Sequence, residues 1–254
     1  MRKIVLVCLL GFSTSWAASP SEPQLHPASQ ILLESMRAQS RHLQQYTADA
    51  ANAQTPGFKS QSLGVRGDGH SLSSVGRVSD VVAGVLETDE PLDFLIEGPG
   101  YFVLQAPWGE EVYTRDGRFK LDQQGVVVSA AYQFPLLLDS GPFVLAAGDP
   151  FKVSSTGHIL VNNSSIGQIR LLQFSGDSPL LALTGSLLRA APDASPPQSV
   201  PQSRIKTGFY EGAAVDLTKI AVGVSGIKNR YDALVTALQK KISGLSGSIQ
   251  AANQ

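Results

Sequence analysis

A chain of 254 residues with 20 basic and 21 acidic side chains carries a formal net charge of -1, and that length supports one or two domains with a real core. Charged residues make up only 16% of it, with no clustered Lys/Arg block, which excludes the electrostatic footprint of a nucleic-acid binder. The single cysteine excludes a disulfide framework.

The first residues read as a secretory signal peptide over 1–17. Arg2 and Lys3 form a basic n-region, Ile4 to Phe12 an apolar h-region, and Ser15-Trp16-Ala17 places small residues where a signal peptidase reads. The apolar run is too short to span a bilayer as a helix. Cys8 lies inside the h-region, away from the cleavage point, so it is not a lipid-modified cysteine. Cleavage after Ala17 leaves a thiol-free chain with 18 basic and 21 acidic residues, a net charge of -3. Residues 18–27, with three prolines, form a linker.

Residues 28–59 read as an N-terminal helix and its terminator. Met36, Leu43 and Ala50 share one heptad position, and Leu32, Gln39, Tyr46 and Ala53 share the other. Arg37, Arg41, Gln44, Gln45 and Asp49 fall outside this seam, which is thin enough to leave the helix marginal alone in water. The helix ends at Asn52-Ala53-Gln54-Thr55-Pro56-Gly57-Phe58-Lys59. Pro56 disfavours the α region at Thr55, and Gly57 permits a sharp exit.

Residues 60–190 read as a central β domain. Ser60 to Glu90 gives loops and weakly alternating strands, with Arg66-Gly67-Asp68 a chance tripeptide match in a Gly-rich loop. Pro91 to Leu138 reads as a tight β-meander with apolar runs Phe94–Ile96, Tyr101–Leu104, Val112–Thr114, Phe119–Leu121 and Val126–Val128. The turns are Glu97–Gly100, Pro107–Gly109, Asp116-Gly117 and Asp122–Gly125. A hairpin follows over Phe151–Asn162, then a strand over Ile166–Phe174 and a Gly-interrupted apolar run over Leu180–Leu188. Residues 191–207 read as a flexible Pro-rich connector. Residues 208–254 hold the C-terminal helix, N-capped by Asp216. Its seam is Ile220, Ile227 and Leu234 with Val224, Tyr231, Leu238 and Leu245, weakened by Gly223 and Gly226. The tail from Ser243 should fray.

No constellation for chemistry stands out, so the chain reads as a non-enzyme with no catalytic, cofactor-binding or metal-binding residues, no cofactor and no small-molecule substrate. His26, His42, His70 and His158 are not at metal-ligand spacing. Glu110, Glu111 and Asp116 could in principle do acid–base work, but their place at hairpin turns points to a solvated edge. Phosphate loops, nucleophile elbows and Walker motifs are absent from the sequence. The aromatics Phe94, Tyr101, Phe102, Tyr113, Phe119, Tyr132 and Phe134 read as core. Two amphipathic helices flanking a β domain can pair, leaving outer faces for neighbours. A patch fitting a different patch on the next copy builds an open helical polymer.

PLDFLIEGPGYFVLQ, YTRDGRF, LDQQG and YQFPL together resemble the core module of the bacterial flagellar rod and hook proteins. ANAQTPGFK resembles that family's N-terminal motif, STGHILVNN and IGQIRLLQF its second half, and Gly208–Gly212 the approach to its C-terminal helix. Asp49, Ala50, Gln54 and the Ala213-Ala214 pair depart from the family pattern. The resemblance implies a mainly β fold, with a meander or barrel-like central domain flanked by terminal helices that pair as a coiled coil. It also implies a structural subunit of the basal-body rod in the periplasm, self-assembling into a helical polymer beside other rod and hook subunits and surrounding ring proteins. With room for one β module, the chain is most like the distal rod protein. The residues expected to carry assembly are Met36, Leu43, Tyr46, Asn52, Thr55, Gly57, Phe58, Ile220, Val224, Ile227, Tyr231, Leu234 and Leu238. The signal peptide is atypical for the family. The alternative is a divergent periplasmic paralogue, or a β-rich periplasmic binding module not built into the rod.

Overall fold

A computed structural model describes residues 27–67, 72–78, 83–146, 148–175, 180–192 and 194–252. The expected leader, the linker up to His26, Asp68 and His70 lie outside the described residues, as do the side chains of Leu32 and Leu245. In chain order the elements are α1 (Pro27–Ala51), β1 (Gln61–Gly67), β2 (Leu72–Val78), β3 (Val85–Glu87), β4 (Phe94–Glu97), β5 (Tyr101–Gln105), β6 (Glu111–Thr114), β7 (Phe119–Leu121), β8 (Val127–Ser129), β9 (Leu137–Leu138) and β10 (Gly141–Pro142). They continue with β11 (Phe151–Val153), β12 (His158–Val161), β13 (Ser164–Gln168), β14 (Leu171–Gln173), β15 (Leu180–Thr184), β16 (Leu187–Ala190), β17 (Gln198–Ser199), β18 (Arg204–Thr207), β19 (Phe209–Glu211) and α2 (Leu217–Ala252). The fold is mainly β with a helix at each end.

The central sheet is antiparallel, six strands in the order β15-β16-β6-β5-β14-β17. Alternation along its strands sends Phe102, Leu104, Val112 and Leu187 into one core and Val103, Tyr113, Leu172 and Leu188 into another. Burial on both faces explains why these strands read as continuous apolar runs in the sequence. The first core closes around Phe94, Phe102 and Phe119. Phe119 stands 5.7 Å from Phe94 and 5.3 Å edge-on from Phe102, and each such buried ring contributes about 2–3 kcal/mol by area.

The sheet is open, with β15 and β17 at its edges, so the barrel-like expectation is not met among the described residues. The continuous meander is also corrected. Of the predicted runs, β5 pairs with β6 and β7 with β8, but β4 turns away from β5 to pair along its whole length with β18. The reason lies in the turns. Gly98 and Gly100 both take positive φ, 115° and 108°, which opens the Glu97–Gly100 loop. The Asp116–Gly117 turn lies flat on β4, where Phe94 N–H donates to Gly117 O at 2.8 Å. A Cβ at Gly117 would sit 1.6 Å from Phe94 O, a position only glycine tolerates.

The stretch expected to be a flexible connector is structured. It holds β17 and β18, and Val200 and Ile205 are buried. Its prolines lie outside β18, so they do not interrupt the ladder to β4. The predicted single strand over Ile166–Phe174 is split into β13 and β14 at Ile169–Arg170, where Arg170 N–H bonds Leu137 O instead of continuing a ladder. The C-terminal helix runs through Ser243 to Ala252, since no proline interrupts it. Asp216 caps it, its Oδ1 accepting from Lys219 N–H at 3.0 Å.

Candidate assembly surface

The segment after α1 docks where three distant pieces of sequence meet. Asn52 closes the helix, its Nδ2 donating to Ala48 O and its backbone O accepting from Thr55 N–H at 2.9 Å. Thr55 Oγ1 returns to Asn52 Oδ1 at 3.2 Å. Gly57 takes φ 66° and donates to the carbonyls of Glu211 and Gly212 at 2.8 and 3.1 Å. A Cβ there would lie 2.0 Å from Asp116 N, so backbone meets backbone at this residue. Phe58 is buried, and its carbonyl accepts from Ala214 N–H at 2.8 Å.

The Glu211 carboxylate sits at the centre of this joint. One oxygen pairs with Lys59 Nζ at 2.7 Å and the other with Arg115 Nε at 2.6 Å, with all three side chains nearly buried. Arg115 gives three more N–H groups to the carbonyls of Ile96, Gly98 and Gly100, at 3.1, 2.9 and 2.7 Å. One guanidinium therefore holds the β4–β5 loop, and one carboxylate ties the α1 terminator and the β domain to β19 below α2. Beside it, the fully buried Asp116 accepts two hydrogen bonds from the Arg118 guanidinium, both at 3.0 Å. These bonds push Arg118 above its ordinary value. Burial pushes the carboxyl of Asp93 up, opposed by the hydrogen bond from Thr88. Burial raises Tyr113 as well.

The two helices pack against each other, through only part of the seam that the heptads describe. On α1, Met36, Gln39, His42 and Tyr46 are half-buried and Asp49 is buried, whereas Leu43 is 42% exposed and Ala50 is exposed too. Asp49 is held by Gln45 Nε2 at 2.8 Å and Ser60 Oγ at 2.6 Å, so the end of α1 is tied to the start of β1. On α2, Ile227 is buried, and Ile220, Gly223, Leu234 and Leu238 are half-buried. Val224 and Tyr231, expected in the seam, point outward, with Tyr231 45% exposed. Gly223 replaces Val224 at the contact because the Tyr46 ring fills the space beside it. Leu33 and Leu43 on α1, and Leu217, Val222, Val224, Tyr231 and Ile242 on α2, form exposed apolar faces.

The sequence reading missed Lys59, Arg115, Glu211 and Gly223. Glu211 left one signal, a lone acid at the end of the aromatic strand Phe209-Tyr210-Glu211. The carboxylates considered for acid–base work are engaged structurally. Glu111 takes Arg170 bidentately at 2.7 and 3.2 Å, Glu110 accepts from the Trp108 indole at 3.0 Å, and Asp116 binds Arg118. His42 lies half-buried on α1 and His158 exposed on β12.

The family profile described as flagellar hook protein FlgE/F/G D1 domain matches residues 95–135, the β4-to-Pro135 part of the core. Flagellar basal-body rod protein FlgF of Salmonella typhimurium is 29% identical over 71% of this chain and 81% of its own length. FlgF of Caulobacter vibrioides is 30% identical over 71% of this chain and 80% of its own length. The rod protein FlgG of the same organism is 31% identical over 48% of this chain and 47% of its own length.

Proposed function

Because the chain belongs to the family of bacterial flagellar basal-body rod proteins, and is thus a structural subunit of the rod, we propose that it polymerises through the outward faces of its paired terminal helices. The observation that carries this is the pairing itself. Each helix spends one face on the other and leaves apolar side chains exposed outside that contact, Leu33 and Leu43 on α1 and Leu217, Val224, Tyr231 and Ile242 on α2. On α2 the exposed Leu217, Val224 and Tyr231 are seven residues apart, the spacing of a second seam. Such a face buries its apolar area only against another helix, and a face that meets a different face on the next copy extends without closing.

In this reading the helices form the inner tube and the β domain stands outside it, held to them by Glu211. Met36, Tyr46, Ile220, Ile227, Leu234 and Leu238 sit toward the intramolecular pair. Leu43, Val224 and Tyr231 serve the contacts between copies, and Asn52, Thr55, Gly57 and Phe58 lock the exit from α1. Other rod and hook subunits belong to the same assembly, and the basal body is its location. The surrounding ring proteins, a periplasmic route opened by the leader, and a distal place in the rod are part of the proposal. So is the absence of enzymatic activity, which the structural engagement of Glu111 and Asp116 supports.

The test replaces Val224 and Tyr231 together by Ser in the full chain. Both are exposed, so the isolated protein keeps its helical circular dichroism, while the chain disappears from purified hook–basal bodies. Incorporation of V224S/Y231S at the wild-type level would overturn the reading.

A further inference from the structure

The turn between β5 and β6 is short and tied to itself. Ala106 N–H donates to Glu110 O and Gly109 N–H to Ala106 O, both at 2.9 Å, and Pro107, Trp108, Gly109 and Glu110 are all exposed. Trp108 is 56% exposed although its indole is held at two points. Its Nε1–H donates to Glu110 Oε2 at 3.0 Å, and its ring stands at 88° to that of Phe134, with the centroids 5.8 Å apart. A perpendicular contact occupies at most one face of the indole, so the other is turned to solvent at a fixed angle. Beside it, a Cβ built on Gly109 would meet nothing within 4 Å.

The surroundings of the ring are polar. Among the described residues of β5, β6, their turn and segment 132–135, Trp108 is the one large apolar side chain that is exposed. A stable contact between proteins needs about 800 Å² on each side and surrounds its central aromatic with further packed groups, whereas this tip offers a single ring. Hydrogen-bonding groups lie at its edge instead. A carboxylate has about four acceptor positions, and the indole takes one of those on Glu110. The half-buried Gln105 turns its amide toward Glu110 O, at 3.5 Å, and has a second hydrogen to donate.

We propose that the open face of Trp108 is a stacking site for a β-1,4-linked glycan whose ring hydroxyls are equatorial. Such a sugar divides its surface as the tip does. Its axial C–H groups make an apolar face, and its hydroxyls line the edge. The C–H hydrogens are slightly positive and the face of the indole is slightly negative, so the two attract as well as exclude water. With a sugar ring stacked on Trp108, its hydroxyls donate to Glu110 and accept from Gln105. The tip projects, so it meets an extended chain laid across it, whereas a coiled α-1,4 glucan needs a concave site. Glu110 is also a positioning residue, because its bond to Nε1 sets the angle of the indole. The site lies outside the helices and does not depend on polymerisation.

The experiment titrates the leader-free chain, in which Trp108 is the one remaining tryptophan, with chitotetraose. Trp108 emission moves to the blue, its quenching by acrylamide falls, and saturation-transfer NMR shows the sugar held through its C–H face. Maltotetraose, the α-linked probe, leaves the emission unchanged. By NMR, Trp108→Ala weakens binding about tenfold, while Trp108→Tyr, which keeps a ring to stack on, stays within about threefold of wild type. Glu110→Ala weakens it about threefold and lets acrylamide reach Trp108 more readily in the free protein. Both positions are exposed, so the circular dichroism of all three variants matches wild type. No response to chitotetraose, an equal response to maltotetraose, or undiminished binding by Trp108→Ala overturns the site. Protection of Trp108 on self-assembly alone overturns it in favour of a protein contact. None of these outcomes bears on the helix faces, which V224S/Y231S tests separately.

Discussion

The ring of Tyr46 in α1 occupies the space where a side chain on Gly223 of α2 would begin. A Cβ built on Gly223 lies 2.4 Å from Tyr46 Cζ and 2.5 Å from its hydroxyl oxygen. The glycine that weakens α2 by propensity is the notch that seats α1. Three residues along, Gly226 has nothing within 4 Å of the same position.

The two glycines should therefore respond oppositely to alanine. Gly226→Ala gains helix propensity at no steric cost and stabilises α2 by up to about 1 kcal/mol. Gly223→Ala gains the same propensity but drives Tyr46 from its notch, and the packing lost exceeds the gain. Thermal unfolding followed by helical circular dichroism should put the midpoint of G226A above that of the wild type and of G223A below it. A G223A midpoint equal to that of G226A would mean that Tyr46 does not seat there.

Glu211→Ala should be among the more destabilising single changes in the chain. It takes one carboxylate from Lys59 and leaves Arg115, whose side chain is 11% exposed, as a buried cation that has lost its ion pair. Breaking such a pair from one side costs about 3–5 kcal/mol. Because Gly57 donates to the Glu211 backbone, the hydrogen exchange of amides in 52–58 should rise with it. Urea unfolding that shows a loss under 1 kcal/mol would remove the ion pairs from the joint.

Asp93 gives the stability a pH dependence of definite sign. Burial is the main cause of its raised value, with a hydrogen bond from Thr88 acting against it. Folding therefore holds the proton more tightly than the unfolded chain does. The stability this contributes is fully present below the ordinary carboxylate value of 3.8 and is lost as the pH rises through the folded value. Asp93→Asn keeps an acceptor for Thr88 and never ionises. Relative to wild type, its urea midpoint should climb between acid and neutral pH. A constant difference across that range would show that Asp93 does not titrate differently on folding.

The leader makes a prediction independent of the fold. If residues 1–17 are removed by a signal peptidase, mass spectrometry of hook–basal bodies should recover an N-terminal peptide that begins at Ala18. A peptide from within 1–17 in the assembled structure would rule out cleavage at that site.

Much of the β domain was legible because its strands are short apolar runs cut by turns that glycine and aspartate specify. Each run from Phe94 to Leu121 lies in a strand within one residue of its expected bounds, and the β11–β12 hairpin lies within the expected Phe151–Asn162. Pairing was not legible. Nothing local in Phe94–Glu97 says that its partner is Arg204–Thr207, more than a hundred residues away, and Arg115 holds the turn out of β4 by reaching the carbonyls of Ile96 in the strand and of Gly98 and Gly100 in the loop after it.

The helices divide the same way. The heptad arithmetic located both of them, since a 3.5-residue apolar period needs only side-chain order. Which face turns inward was decided by contact. Tyr46 needs the space that Gly223 provides, and Asp49 needs Ser60 and Gln45, so Leu43, Val224 and Tyr231 are turned out to the surface. The sequence by itself determined the two helices, the strands and turns from Phe94 to Leu121 and the family, all of which follow from residues close together in the chain. Only the tertiary structure decided the Glu211 joint and the outward helix faces, because both depend on free energies of burial and charge pairing that exist only once distant segments touch.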